Sequence, residues 1–82
     1  MVTKEKLYEL RISFAASVIK LKYNKDGISV EMRDFMGYFI SGENVFLAFS
    51  GNCSIKLPLN QLYYNDSEKC FYVMEEKKDE NN

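Results

Sequence analysis

Hydrophobic and polar residues alternate with a period of two along both arms of the stretch VIKLKYNKDGISVEMR, residues 18–33. This period is typical of half-buried β-strands, because successive side chains of a strand point to opposite faces. The apolar positions are Ile19, Leu21, Tyr23, Ile28, Val30 and Met32. Between the arms, Asn24–Gly27 has the composition of a turn. The stretch therefore predicts a β-hairpin.

The alternation also predicts how the two arms of this hairpin pair. A four-residue loop at Asn24–Gly27 closes with Tyr23 opposite Ile28, which keeps the apolar residues of both arms on one face. On the other face Lys20 then lies opposite Glu31, a pair worth about 0.2–1 kcal/mol. A shift of one residue would turn the apolar side chains of one arm toward the polar face, so the pattern restricts the register.

Residues 4–22 fit two structures. As a strand, Tyr8, Leu10, Ile12 and Phe14 alternate with polar residues, and the phase then slips around Ala15–Ser17, where a β-bulge would insert one residue. As a helix, the region carries an apolar stripe at Leu7, Leu10, Phe14, Val18 and Leu21. Thr3 is followed three residues later by Lys6 rather than by Glu or Gln, so a capping box is missing. We therefore expect a strand, with a short N-terminal helix as the alternative.

A second hairpin is predicted after the first. Phe35–Ile40 is apolar on both strand faces, and Gly37 inside it predicts a bulge or a bend. Gly42 would be the first residue of a two-residue turn of the type II′ kind. This turn places Ile40 opposite Val45.

A third hairpin is predicted around a loop at Ser50–Asn52. Asn52 can adopt the left-handed conformation that a three-residue loop requires. This loop places Phe49 opposite Cys53. Pro58 has no backbone donor, so the strand that reaches it lies at an edge or ends there. Residues 58–61 are too few for a regular helix and predict a single tight or 3₁₀ turn.

The last predicted arms are Leu62–Tyr64 and Cys70–Met74, on either side of a polar loop. Residues 75–82 (EEKKDENN) contain no apolar side chain and are expected to be a disordered, charged tail. We therefore expect a single domain over residues 1–74.

Six to eight short strands joined in sequence predict an all-β domain, a small antiparallel meander that closes into a barrel or a two-layer sandwich. A single curled sheet is the alternative. The order of elements resembles the outline of an SH3-like or Sm-like barrel. The arm Ile28–Ile40 lacks the glycine and Asp/Asn positions of the Sm signature, so no RNA-binding residue is carried over from that resemblance.

Net charge gives no argument for a nucleic-acid or membrane partner, because it is only −1 over 82 residues. The charge is uneven: residues 1–25 carry six Lys or Arg and two Glu (+4), and residues 26–82 carry five and ten (−5). A chain of this length buries only about 60% of its unfolded surface. Association with a partner would therefore help to stabilise it.

The chain has no apolar stretch near the roughly 18 residues that span a bilayer, and its N-terminus lacks the apolar core of a secretion signal. We expect a cytoplasmic protein without a membrane role. Cys53 and Cys70 would then be reduced, and each is predicted to be a buried small hydrophobic residue.

Catalytic chemistry is not predicted. The chain contains no histidine, which excludes Ser-His-Asp and Cys-His arrangements and removes the commonest general base. The acidic residues Asp26, Glu31 and Asp34 have no local apolar pocket that would tune a general acid. We therefore expect no enzyme, no catalytic residue, no metal site, no cofactor and no small-molecule substrate.

The surplus of aromatic residues between Phe35 and Phe49 indicates a protein-binding surface, since only one face of these strands can be core. Candidate residues are Phe35, Tyr38, Phe39 and Phe46. The partner would be another protein or a second copy of the chain in a homodimer. Compact modules of this kind, including those of mobile genetic elements, often act as inhibitors or adaptors.

The alternative function is binding of single-stranded nucleic acid. Cations combined with exposed rings on a small β-fold hold single strands through phosphate contacts and base stacking. Candidate residues are Lys20, Lys22, Arg33, Tyr63 and Tyr64. The slightly acidic chain and the presence of Glu31 among these cations make this the less favoured function.

Overall fold

The computed structural model describes residues 1–13 and 16–74, with the backbone alone at Ser17. Part of the predicted bulge lies outside the described residues. The whole of the predicted disordered tail, residues 75–82, also lies outside them. The elements are α1 (Lys4–Ile12), β1 (Lys20–Lys25), β2 (Ile28–Arg33), β3 (Phe35–Ser41), β4 (Asn44–Phe49), β5 (Cys53–Pro58), β6 (Leu62–Asn65) and β7 (Cys70–Val73). Two 3₁₀ turns lie at Ala16–Val18 and Leu59–Gln61.

The strands form two sheets. Sheet A has the order β2-β1-β7-β6, and sheet B has the order β3-β4-β5. The predicted all-β class is confirmed, and two separate sheets agree with the predicted two-layer sandwich rather than with a closed barrel. One feature differs from a simple meander: β1 and β7 are parallel, whereas the other described pairs are antiparallel.

The preference for a strand at the start of the chain was wrong, because Lys4–Ile12 is an α-helix. The Thr3 side chain accepts a hydrogen bond from the Lys6 backbone N–H at 3.1 Å, so Thr3 caps the helix without a capping box. Leu7 and Leu10 are buried in the core, whereas Val18, also on the proposed helical stripe, is exposed. The N-cap hydrogen bond and the burial of two leucines therefore stabilise a helix here, although the period-two alternation favours a strand.

The first hairpin forms, but its register differs from the predicted one by two residues. Asp26 and Gly27 both have positive φ, 52° and 78°, and make a two-residue turn instead of a four-residue loop. Lys22, rather than Lys20, consequently lies opposite Glu31. A shift of two residues keeps every side chain on its face, so the apolar pattern alone does not distinguish the two registers.

The second and third hairpins have the predicted registers. Ile40 lies opposite Val45, and Phe49 lies opposite Cys53. Gly42 has φ 61° and Asn52 has φ 59°, as their turns require. The predicted irregularity at Gly37 is also present, since the pairing of β3 with β4 shifts between Phe35 and Gly37.

The bend that carries the chain from sheet A into sheet B lies at Asp34, whose φ is 65°. Ser50 stabilises this bend, because its hydroxyl group contacts the Arg33 carbonyl oxygen at 3.1 Å and the Asp34 carboxylate at 3.2 Å. Pro58 ends β5, an edge strand, and is followed by the predicted 3₁₀ turn.

The core lies between the sheets and under α1. Its fully buried members come from the helix, from both sheets and from Ile19, the residue before β1. The others include Leu7, Leu21, Val45, Leu47, Leu62 and Phe71. The two cysteines are free and differ in environment, since Cys70 is buried and Cys53 is exposed. The prediction that both are buried was therefore wrong for Cys53, which lies at the start of the edge strand β5, next to the loop.

Candidate binding surfaces

The outer face of sheet B carries exposed aromatic side chains. Phe39 of β3 lies opposite Phe46 of β4, with 6.2 Å between ring centroids. The side chains are 64% and 38% exposed. Ala48, two residues further along β4, is exposed on the same face. We call Phe39, Phe46 and Ala48 the aromatic patch.

Two cations border the aromatic patch. Lys56 of β5 lies opposite Phe46, and its Nζ is 5.7 Å from the centroid of the Phe46 ring. On the β3 side, Arg11 of α1 approaches Gly37, where an added Cβ would lie 3.8 Å from Arg11 Nε. The patch is thus an apolar centre with a positive group on two sides.

The structure separates the residues that were predicted to form a protein-binding surface. Phe39 and Phe46 are brought together, whereas Phe35 is buried at 4% exposure and Tyr38 is half-buried against the core. Met36 is 64% exposed and was not predicted. The bulge between Phe35 and Gly37 explains it, because an extra residue in a strand interrupts the alternation from which faces are predicted.

The outer face of sheet A carries cations and tyrosines in rows that cross the strands. One row runs Glu31, Lys22, Tyr72, Tyr63 over β2, β1, β7 and β6. The neighbouring row runs Arg33, Lys20, Cys70, Asn65. We call Lys20, Lys22, Arg33, Tyr63 and Tyr72 the cationic face.

This face contains all but one of the residues predicted to bind nucleic acid. Tyr64 lies on the opposite side of β6, where its ring meets the buried Phe71 ring at 5.1 Å. Burial raises the pKa of the Tyr64 hydroxyl, and the nearby Asp66 carboxylate raises it further. Tyr72 was not predicted, because it lies beside the cation Lys22 only through the pairing of β7 with β1, which is far away in the sequence.

The Tyr72 side chain is held in place by its neighbours. Its hydroxyl donates a hydrogen bond to the Glu68 carboxylate, and this bond raises the pKa of Tyr72 above its usual value. Cys70 is wholly buried two residues earlier, and desolvation raises the pKa of its thiol. The hydrogen bond with Tyr72 and the charges of Lys22 and Lys20 partly oppose that effect.

Two grooves flank Tyr72. One has a volume of about 660 Å³ and is lined by Lys22, Glu31 and Tyr72, together with residues of the distal half of the first hairpin. The other has a volume of about 410 Å³ and is lined by Tyr63, Tyr72 and Met74, among others. Both grooves are open to solvent, so the ring of Tyr72 forms a wall that is accessible from two sides.

Within residues 1–13 and 16–74, no three His, Cys, Asp or Glu side chains are grouped as a metal site would require. No helix in those ranges has the length and apolar character needed to cross a membrane.

Comparison with known proteins gives no match to a family model, a curated protein or a solved structure. The function of the chain must therefore be inferred from its own surfaces.

Proposed function

We propose that this protein is a small, non-enzymatic protein-binding module, an inhibitor or adaptor, that binds its partner through the aromatic patch on sheet B. The observation that supports the proposal is the exposure of Phe39 beside Phe46 on the face turned away from the core. Exposed aromatic side chains in contact with each other are typical of the centre of protein interfaces.

The residues that border the aromatic patch favour a partner of particular chemistry. Lys56 and Arg11 flank it, so the complementary surface has an apolar centre with carboxylates at its rim. A second copy of the chain would place the same cations against each other, which costs free energy. The proposed partner is therefore a different protein, and a homodimer through this face is the competing outcome.

The proposal includes a cytoplasmic location and no catalytic, metal or cofactor role. The cytoplasmic location is supported by the two free cysteines, because a reducing compartment keeps cysteines as thiols.

The test has two stages. Immobilised wild-type protein is used to capture partners from a lysate, and Phe39→Ser and Lys56→Glu are used in parallel. Tyr8→Ser is the matched control, because Tyr8 is an exposed ring on α1, 56% accessible, outside the aromatic patch. A captured protein counts only if both patch variants lose it and the control retains it.

That protein is then purified and titrated against the same variants by calorimetry. We expect Phe39→Ser to weaken binding by about 2 kcal/mol, the size of a hot-spot residue. Lys56→Glu should act mainly on the association rate and on its salt dependence. Equal binding by wild type and Phe39→Ser would refute the proposal. A sedimenting dimer that Phe39→Ser dissociates, with no other partner, would show self-association instead.

A further inference from the structure

We infer that the cationic face of sheet A is a separate binding site for single-stranded nucleic acid, with Lys20, Lys22 and Arg33 contacting phosphates and Tyr72 and Tyr63 stacking on bases. This site lies on the sheet opposite to the aromatic patch, so it is independent of the proposed protein-binding function.

The spacing of the cations suits a phosphate backbone. Lys20 and Arg33 are direct neighbours on β1 and β2, so their Cα atoms are about 5 Å apart. Lys22 lies two residues further along β1, about 7 Å from Lys20, with its side chain on the same face. Three cations on adjoining positions can follow one strand of phosphates across the sheet.

The tyrosines lie beside these cations. Tyr72 is the neighbour of Lys22 on β7, and Tyr63 is the neighbour of Tyr72 on β6. A row of cation, ring and ring places a phosphate contact next to two stacking surfaces, the combination that sequence-tolerant single-strand binders use. Sheets of four strands present aromatic side chains to RNA bases in the same manner.

The grooves on both sides of Tyr72 provide room for bases. One groove adjoins Lys22 and the other adjoins Tyr63. The hydrogen bond from the Tyr72 hydroxyl to Glu68 restrains the ring, so little side-chain entropy is lost when a base stacks on it. Duplex DNA would gain little from these rings, because its bases are paired and stacked on one another and are not free to stack on Tyr72 or Tyr63.

Glu31 opposes the cations at one end of the row. Its carboxylate accepts a bond from Arg33 Nε at 3.2 Å, and it lies opposite Lys22. Glu31 therefore competes with a phosphate for the same cations. Its removal should strengthen nucleic-acid binding, whereas removal of a residue that only maintains the fold would not.

The probe is a fluorescein-labelled oligodeoxythymidylate of about 12 nucleotides, a length within the site size of small β-folds. Its fluorescence anisotropy is titrated with the full chain at several salt concentrations. We expect log affinity to fall with log salt with a slope of about −2, since each of three phosphate contacts contributes about 0.7. Between 50 and 200 mM salt, this slope corresponds to a loss of about twentyfold in affinity.

Charge variants test the phosphate contacts. Lys22→Ala should reduce the magnitude of the salt slope by about 0.7. Lys4→Ala, which removes an exposed lysine on α1, is the matched control and should leave both affinity and slope unchanged. Glu31→Gln should raise the affinity about two- to fivefold, the range of an exposed ion pair.

Ring variants test the stacking. Tyr72→Ala and Tyr63→Ala should each weaken binding at least about fivefold, the lower limit for one stacked base. Tyr72→Phe retains the ring but loses the hydrogen bond to Glu68 that restrains it, so it should bind more weakly than the wild type and more tightly than Tyr72→Ala. Circular dichroism verifies that each variant is folded, and Phe39→Ser, in the aromatic patch, should not change the affinity.

Three results would overturn the inference. The first is no binding of the oligonucleotide by the wild type at 50 mM salt, a concentration at which phosphate contacts are strong. The second is full affinity in Tyr72→Ala and Tyr63→Ala, which would mean that the cations attract any polyanion. The third is a duplex of the same length that binds as tightly as the single strand.

Discussion

The rings of Phe35 and Phe71 meet edge to face, with 5.3 Å between their centroids, and this contact joins sheet B to sheet A. Phe71 is fully buried, and Phe35 also meets Phe49 at 5.7 Å. Edge-to-face contacts add about 0.5–1.5 kcal/mol to the free energy gained by burying the rings. The contact between Phe35 and Phe71 therefore stabilises the packing of one sheet on the other, although Phe35 was predicted to lie on the surface.

We predict that Phe71→Ala lowers the free energy of unfolding by about 3–5 kcal/mol, because it leaves a cavity between the sheets. Phe39→Ala is the matched control, since the same truncation at an exposed position removes a cross-strand ring contact but leaves no cavity, and should cost only about 1 kcal/mol or less. Urea denaturation followed by circular dichroism measures both. Equal destabilisation by the two variants would contradict the assignment of Phe71 to the core and Phe39 to the surface.

The two thiols should react at different rates. Cys53 is exposed, whereas Cys70 is buried and its pKa is raised by desolvation, so little reactive thiolate is available at Cys70. A thiol reagent such as dithionitrobenzoate should modify Cys53 quickly in the folded protein and Cys70 only in denaturant. Cys53→Ala should remove the fast phase, and a fast phase that survives in this variant would show that Cys70 is accessible.

Stability should fall as the pH rises above the pKa of an unfolded thiol, about 8.5. Burial raises the pKa of Cys70 in the folded state. Below about pH 8.5 the thiol is protonated in both the folded and the unfolded chain, so its full contribution to the free energy of unfolding is present. Above it the unfolded chain loses the proton first, and stability declines by at most about 1.4 kcal/mol per pH unit.

Urea denaturation between pH 7.5 and 9.5 tests this decline, a range below the usual tyrosine pKa of about 10. Cys70→Ala should flatten the dependence whatever its absolute stability, and Cys53→Ala should retain it. If the free energy of unfolding declines equally with pH in both variants, the decline belongs to a group other than Cys70.

Gly27 should tolerate substitution less well than Gly37. Gly27 has φ 78° in the first hairpin turn, whereas Gly37 has no positive φ, and a Cβ there would make an ordinary contact with Arg11. Gly27→Ala should cost about 1–2 kcal/mol, because the left-handed conformation strains a residue with a Cβ. Gly37→Ala should cost less than about 0.5 kcal/mol. Thermal unfolding of the two variants compares them, and a reversed order would contradict the turn geometry.

Local chemistry was enough to predict much of sheet B. Gly42 and Asn52 stand where two-residue and three-residue loops need positive φ, and those loops set the registers of both hairpins. In the first hairpin the choice was between two loops that place the same residues on the same faces. Asp26 and Gly27 form the Asp-Gly pair preferred by the shorter loop, a signal present in the sequence that the four-residue interpretation overlooked.

The start of the chain shows where pattern alone fails. Residues 8–12 alternate as a strand would, yet they are helical because Thr3 caps the helix and Leu7 and Leu10 are buried in the core. Intrinsic propensity and the periodicity of the sequence contribute less to the stability of an element than the burial of its apolar side chains in the core.

The sequence by itself determined the all-β class, the positions of the hairpins and the identity of the cations and rings, because turn residues and alternation act between near neighbours in the chain. Only the tertiary structure decided which of these residues share a surface. Lys22 meets Tyr72 through the parallel pairing of β1 with β7, and Phe35 turns inward after the bend at Asp34. Both depend on contacts between strands that are distant in the sequence, and no local pattern encodes which strands will pair.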